Sequence, residues 1–230
     1  VVLQGTTSKF LARLLGVAEP DDNGFLIIGA NPVSRMLAHA LNDNDFNSLV
    51  TDDSWTNIKL ARMEGLKSYY GNAISEHASR HLDLVGLGHL LAMSPQKENN
   101  ALVGQHYRSE FGSNRIYFLS SEPDSEKQEE DQNSRTSINY GHQVLFSHDT
   151  TFSKLASLIS QGAQTRHTTI SDSFTYQDYK EQYGKRAIPL FSFNEKRQLQ
   201  FFTSEIDFIP SPGTTITALV QEQADDLKLE

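Results

Sequence analysis

The chain has 230 residues, 29 acidic and 20 basic side chains, a formal net charge of −9 and no cysteine. The lack of thiols excludes disulfides and thiolate metal sites, and the acidic balance argues against a nucleic-acid partner, which would require a basic face. The length suffices for one large domain or two small ones with a real core.

The start, Val1-Val2-Leu3-Gln4-Gly5, is apolar but soon turns polar, so no secretory signal is expected. No apolar run approaches the roughly 20 residues that a spanning helix needs. Phe10, Leu11, Leu14 and Leu15 have helical spacing within Thr6–Val17, with Lys9 and Arg13 beside them. Two readings fit this segment: a surface helix, or a juxtamembrane helix with its basic residues toward the cytoplasmic surface. Glu19-Pro20-Asp21-Asp22-Asn23-Gly24 reads as a turn.

Strands and helices then alternate. Phe25-Leu26-Ile27-Ile28 is a continuous apolar run, as a strand buried on both faces requires. Val33, Met36, Leu37, Ala40 and Leu41 predict one face of a helix beginning at Pro32. Further strands are expected at Asn47–Thr51, Lys67–Tyr70, His89–Met93 and Arg115–Leu119. Helices are expected at Thr56–Glu64, Ser75–Asp83 and Glu98–Phe111, the first and last stopped by Gly65 and Gly112. Such alternation with short connections implies a parallel sheet with right-handed crossovers.

From Ser120 to about Tyr140 the chain is acidic, polar and nearly free of apolar residues, and reads as a flexible linker. A second unit follows. Gln143–Phe146, Thr165–Ile170, Ile188–Phe193, Leu199–Thr203 and Thr215–Val220 predict strands; Thr151–Ile159 and Thr175–Tyr183 predict helices. Asn194-Glu195-Lys196-Arg197 predicts a hairpin loop. The expected class is α/β: a Rossmann-like parallel sheet flanked by helices, with a second small α+β domain. The expected divisions are a juxtamembrane segment 1–24, the Rossmann-like domain 25–120, a linker 121–140, the small domain 141–222 and a tail 223–230.

The central motif is Phe25-Leu-Ile-Ile-Gly29-Ala30-Asn31-Pro32-Val33-Ser34-Arg35. A buried strand stops at a glycine and a helix begins, whose N-terminal amides would face an anion. Asp52 closes the second strand, where a Rossmann fold places its ribose-binding acid, and Asp53 follows it. The full fingerprint would also have glycine at Asn31 and Ser34. Asn31 is instead a good N-cap and Pro32 a good first helical residue, which favours helix stability over phosphate binding. Arg35 is a candidate phosphate cation. Gly71, Asn72 and Ala73 after the third strand, with Met93 and Ser94 after the fourth, lie at the sheet edge where ligands bind. Nucleotide binding at these fourteen residues stands against a purely structural strand–turn–helix.

His77 and His81, beside Glu76, have zinc-like spacing, but a solvated helix face explains them more simply. His39, His89 and His106 are scattered. No nucleophile triad and no carboxylate pair calls for catalysis, so no enzyme activity is expected.

Several of these stretches, taken together, resemble the N-terminal domain of the RCK/KTN (regulator of potassium conductance) family. They are Leu-Ile-Ile-Gly29-Ala-Asn-Pro-Val, the strand ending at Asp52, Glu64-Gly65-Leu66, Tyr70-Gly71-Asn72-Ala73 and Asn99-Asn100-Ala-Leu. In that family the Asp52 position contacts the adenosine ribose, and an aspartate usually stands where Asn72 does. Val2-Leu3-Gln4-Gly5-Thr and Leu11-Ala-Arg13-Leu-Leu-Gly16 resemble the end of the last membrane helix and the following linker of bacterial Na⁺/H⁺-type cation:proton antiporters, and the run from Tyr179 through Tyr183-Gly184-Lys-Arg-Ala187-Ile-Pro189-Leu-Phe191, with Pro212-Gly213, resembles the tail of the same antiporters. The resemblance implies a regulatory domain at the cytoplasmic face of the bacterial inner membrane, attached to its own antiporter domain, homodimeric, and binding NAD or an adenine nucleotide (AMP, ADP or ATP). An NAD(P)-dependent oxidoreductase and a structural dimerisation tail with a vestigial pocket are the alternatives.

Overall fold

The computed structural model describes residues 22–120, 143–147, 149–206 and 208–221. The expected helix at 6–17, linker 121–140 and tail 223–230 lie outside these residues.

Strand β1 (Gly24–Ile28) is buried along its whole length. Its side chains alternate between two cores: Phe25 and Ile27 face one, Leu26 and Ile28 the other. Helix α1 (Pro32–Asn42) follows, then β2 (Ser48–Asp52), α2 (Trp55–Met63), β3 (Ser68–Tyr70) and the short α3 (Glu76–His81). Next come β4 (Leu87–Ala92), α4 (Lys97–His106), α5 (Arg108–Phe111) and β5 (Ile116–Phe118). The strand β6 (Gln143–Val144) completes a six-stranded sheet of order β3-β2-β1-β4-β5-β6, parallel throughout. This is the expected Rossmann-like α/β class.

The helices are stopped and started by the residues the sequence marks. Ser54 caps α2 and Ser75 caps α3, each accepting a first-turn amide. Gly65, at φ +80°, takes the left-handed turn that ends α2. α1 and α2 bury Val33, Leu37, Leu41, Ile58 and Ala61 on one face of the sheet. α4 and α5 bury Val103 and Phe111 on the other. Each of these side chains other than Ala61 contributes about 1.5–3 kcal/mol when fully buried.

The second sheet is antiparallel, of order β7-β10-β8-β9, from β7 (Gln164–Thr169), β8 (Ala187–Phe193), β9 (Leu199–Phe201) and β10 (Thr215–Val220). Helix α6 (Phe152–Ser160) packs against α1, and α7 (Tyr176–Tyr183), opened by a Thr175/Asp178 capping box, buries Tyr179 against the second sheet. Phe191 and Phe201 from this sheet and Leu155 from α6 lie in the same core as Phe25 and Leu37. Phe25 meets Phe201 edge-on at 5.5 Å, and Phe46 meets Phe193 at 5.7 Å. Arg197 in the β8–β9 hairpin donates to Asp45 at 2.6 Å and to the Asn44 carbonyl.

Two elements differ from expectation. The segment Gln143–Phe146, expected in the second unit, instead sends Gln143 and Val144 into the first sheet, paired with Tyr117 and Phe118. Leu145 then bridges to Thr203 and is completely buried, so the segment passes from one sheet to the other. The expected single helix Glu98–Phe111 is broken at Tyr107, whose ψ is 7°. Its hydroxyl donates to the Ala73 carbonyl at 2.7 Å, a tether that fixes the ring under the neighbouring loop.

Candidate functional site

A cleft of about 330 Å³ opens at the carboxyl ends of β1 to β4. In this strand order β1 and β4 are neighbours whose connections run to opposite sides, and ligands of doubly wound sheets bind at that switch point.

Gly29 forms its floor. At φ +95° it holds a conformation that side chains rarely adopt, and a Cβ would sit 3.0 Å from Asn31 Nδ2 and 3.4 Å from the Met93 carbonyl oxygen. Its amide donates to the Thr51 carbonyl at 2.7 Å. Asn31, only 7% exposed, makes two bonds. Its Oδ1 accepts the Ser34 amide at 3.0 Å, capping α1, and its Nδ2 donates to the Met93 carbonyl at 2.8 Å, tying β1 to β4.

Asp52 is the hub of the opposite wall. Its Oδ2 accepts the Ala30 amide at 2.7 Å and the Asn57 amide group at 2.9 Å; its Oδ1 accepts the Ser54 amide at 2.7 Å. A carboxylate has about four acceptor positions. Three are engaged by protein, so one on Oδ1 remains for a hydroxyl donor. Gly71, at φ +144°, donates its amide to the Asp52 carbonyl at 2.9 Å and brings Asn72 and Ala73 to the cleft. On the β4 side, buried Asn100 accepts the Ser94 amide at 3.0 Å and donates to the Ser94 carbonyl at 2.8 Å. Tyr107, which tethers Ala73, has its pKa pushed up to about 12, mainly by burial and further by Tyr69 and Glu110, so it stays a donor.

Of the fourteen residues the sequence singles out, the cleft is lined by Gly29, Asn31, Asp52, Asp53, Gly71, Asn72, Ala73 and Ser94. Ala30 and Met93 serve through their backbones, by the bonds to Asp52 and Asn31. Pro32, Val33 and Ser34 build the first turn of α1, and Val33 and Ser34 are fully buried. Arg35 is turned away: its Nε binds the Glu64 carboxylate at 2.9 and 3.0 Å and its Nη1 the Ala30 carbonyl at 2.8 Å. The sequence reading missed Asn57, which is legible only as the residue one helical turn beyond the Ser54 cap. It also missed Gln96 and the apolar wall of Ile74, Leu102 and Val103. Among the described residues that line the cleft, none is lysine, arginine or histidine.

His77 and His81 stack with ring centroids 4.1 Å apart on the exposed α3. His77 Nδ1 is engaged by the Tyr69 hydroxyl at 2.7 Å, and Glu76 pairs with Arg80. Among the described residues no cluster of three or more potential ligands assembles a metal site.

The strand order and the cleft at its switch point define a doubly wound, Rossmann-like α/β domain. Residues 25–136, just under half of the chain, match the family model of the TrkA-N domain. Solved structures similar to the chain include the NAD(P)-binding domain of an exopolyphosphatase-related protein from Archaeoglobus fulgidus, at 24% identity, TM-score 0.39, over 44% of this chain and 75% of that one. The TrkA-N domain of inner membrane protein ybaL from Escherichia coli is 22% identical, TM-score 0.37, over 42% of this chain and 72% of that one. The GsuK RCK domain is 15% identical, TM-score 0.41, over 93% of this chain, which spans 49% of that structure. No curated protein matches the sequence. No helix among the described residues is long and apolar enough to cross a membrane.

Proposed function

We propose that this chain is the regulatory part of a bacterial monovalent-cation transporter, a sodium or potassium/proton antiporter, and that its cleft binds NAD(H) or an adenine nucleotide. In this reading it works as a homodimer at the cytoplasmic face of the inner membrane, joined to its own transport domain, without nucleic acid and without catalysis. The observation that carries the reading is Asp52. It stands at the ribose position of a switch-point cleft, with one acceptor position unfilled, inside a segment that matches the TrkA-N domain. The only ionisable side chains among the described residues lining the cleft are Asp52 and Asp53. Neither is accompanied there by the proton donor that hydride transfer to a carbonyl would require.

A nucleotide changes transport only through unequal affinity for two arrangements of the protein. Binding to the folded chain alone raises its melting temperature. At a hundredfold excess over Kd the gain is roughly 5–10 °C for a chain of this size. The test is a thermal melt of the 230-residue chain with NAD, NADH, AMP, ADP and ATP. At least one is expected to raise Tm, and Asp52→Ala is expected to remove the ribose-dependent part of the rise. No shift with any of them at millimolar concentration would overturn the nucleotide reading. Turnover of NADH with a small carbonyl would replace the regulator with a reductase.

A further inference from the structure

We infer that the cleft grips its ligand by the nucleoside end and selects against phosphate, so that affinity falls in the order adenosine, AMP, ADP, ATP. This deepens the nucleotide reading above and rests on it.

Phosphate recognition in a doubly wound fold depends on free amides at the first helix and on a nearby cation. Here part of those means is spent within the protein. The Ser34 amide is taken by Asn31 Oδ1 at 3.0 Å, and the Ala30 amide by Asp52 at 2.7 Å. Pro32 has no N–H to offer. Arg35, the cation nearest the turn in sequence, is held by Glu64 and by the Ala30 carbonyl, with only 12% of its side chain exposed. The charges that do line the cleft, Asp52 and Asp53, repel an anion.

The nucleoside end is provided for. Asp52 Oδ1 keeps an acceptor position for a ribose hydroxyl. Leu102, Val103 and Ile74 give an apolar wall for the base, with the amides of Gln96 and Asn99 at its edge. The volume of about 330 Å³ lies near the bottom of the range for ligand sites, roughly 300–1,000 Å³, which suits one nucleoside better than a dinucleotide.

The experiment is a titration of the whole chain, at low and fixed ionic strength, with adenosine, 2′-deoxyadenosine, AMP, ADP, ATP and NAD, read by calorimetry and by Tm. The expected result is tightest binding for adenosine, a stepwise fall with each phosphate, and binding of 2′-deoxyadenosine weaker by about tenfold or more. ATP or NAD binding more tightly than adenosine would overturn this inference and leave the nucleotide reading standing. Binding of none would overturn both. Asn31→Gly keeps a competent N-cap, since glycine caps nearly as well as asparagine, and it frees the Ser34 amide. In this variant the gap between adenosine and the phosphorylated ligands should narrow several-fold; an unchanged gap would overturn the role given to Asn31.

Discussion

At Gly29 a backbone angle of +95° shapes the turn that lines the cleft. Alanine there must hold φ near +95° and place its Cβ against Asn31 Nδ2 and the Met93 carbonyl. Gly29→Ala is therefore expected to cost about 1–3 kcal/mol, measured by urea denaturation, with loss of any ligand-induced rise in Tm. This residue was legible in the sequence because a glycine between a buried strand and a capped helix has few other uses. Arg35 was not. Its position one turn into the helix suggests a phosphate contact, but Glu64 lies far along the chain and its approach depends on how α1 and α2 pack. Asp52 was legible as an acid at the end of a strand, whereas the three bonds that leave it one open position follow from tertiary geometry alone.

At the scale of elements, local signals marked the helix starts well. Asn31, Ser54, Ser75 and Thr175 each accept an amide in the first turn of the helix they open. Pairing across the chain was harder to read. Nothing local to Gln143 and Val144 says that their partner is Tyr117–Phe118 rather than a strand of the second sheet, because strand alternation specifies a face and not a neighbour. The break at Tyr107 was hidden for a similar reason, since the bond that fixes it is made to Ala73 in another loop. Packing of α4 gives an element-scale prediction. A Cβ on Gly104 would press into the tip of the Phe118 ring on β5. Gly104→Ala should therefore destabilise the fold by about 1–3 kcal/mol through overpacking, although alanine is the better helix former. A chemical melt showing stabilisation would mean that the Phe118 ring yields freely.

Across the whole molecule, the two sheets meet at a seam that contains a histidine. His89 stacks on Phe25 with centroids 5.0 Å apart, and its Nδ1 is buried without a hydrogen-bond partner. Burial, aided by the charge of Arg115 and opposed by the Gly24 backbone, lowers its pKa to about 4. The unfolded chain, with an ordinary pKa near 6.5, takes up the proton first. The stability tied to neutral His89 is therefore present above about pH 6.5 and is lost progressively as pH falls toward 4. Melting temperature should decline over that interval, and His89→Phe should flatten the decline. An equal slope in both proteins would mean that other groups dominate the acid response.

The same seam bears on β1. At its far end this strand runs into Gly29 and the cleft; near its start it lays Phe25 against Phe201 of the second sheet. Five residues at about 3.3 Å each make a short, fully buried strut with no room to flex between its ends. For an evolving sequence, the second sheet is then not independent cargo. Phe201→Ala is therefore expected to weaken ligand binding at the cleft as well as stability, and equal affinity in the variant and the parent chain would show that the strut carries no such coupling.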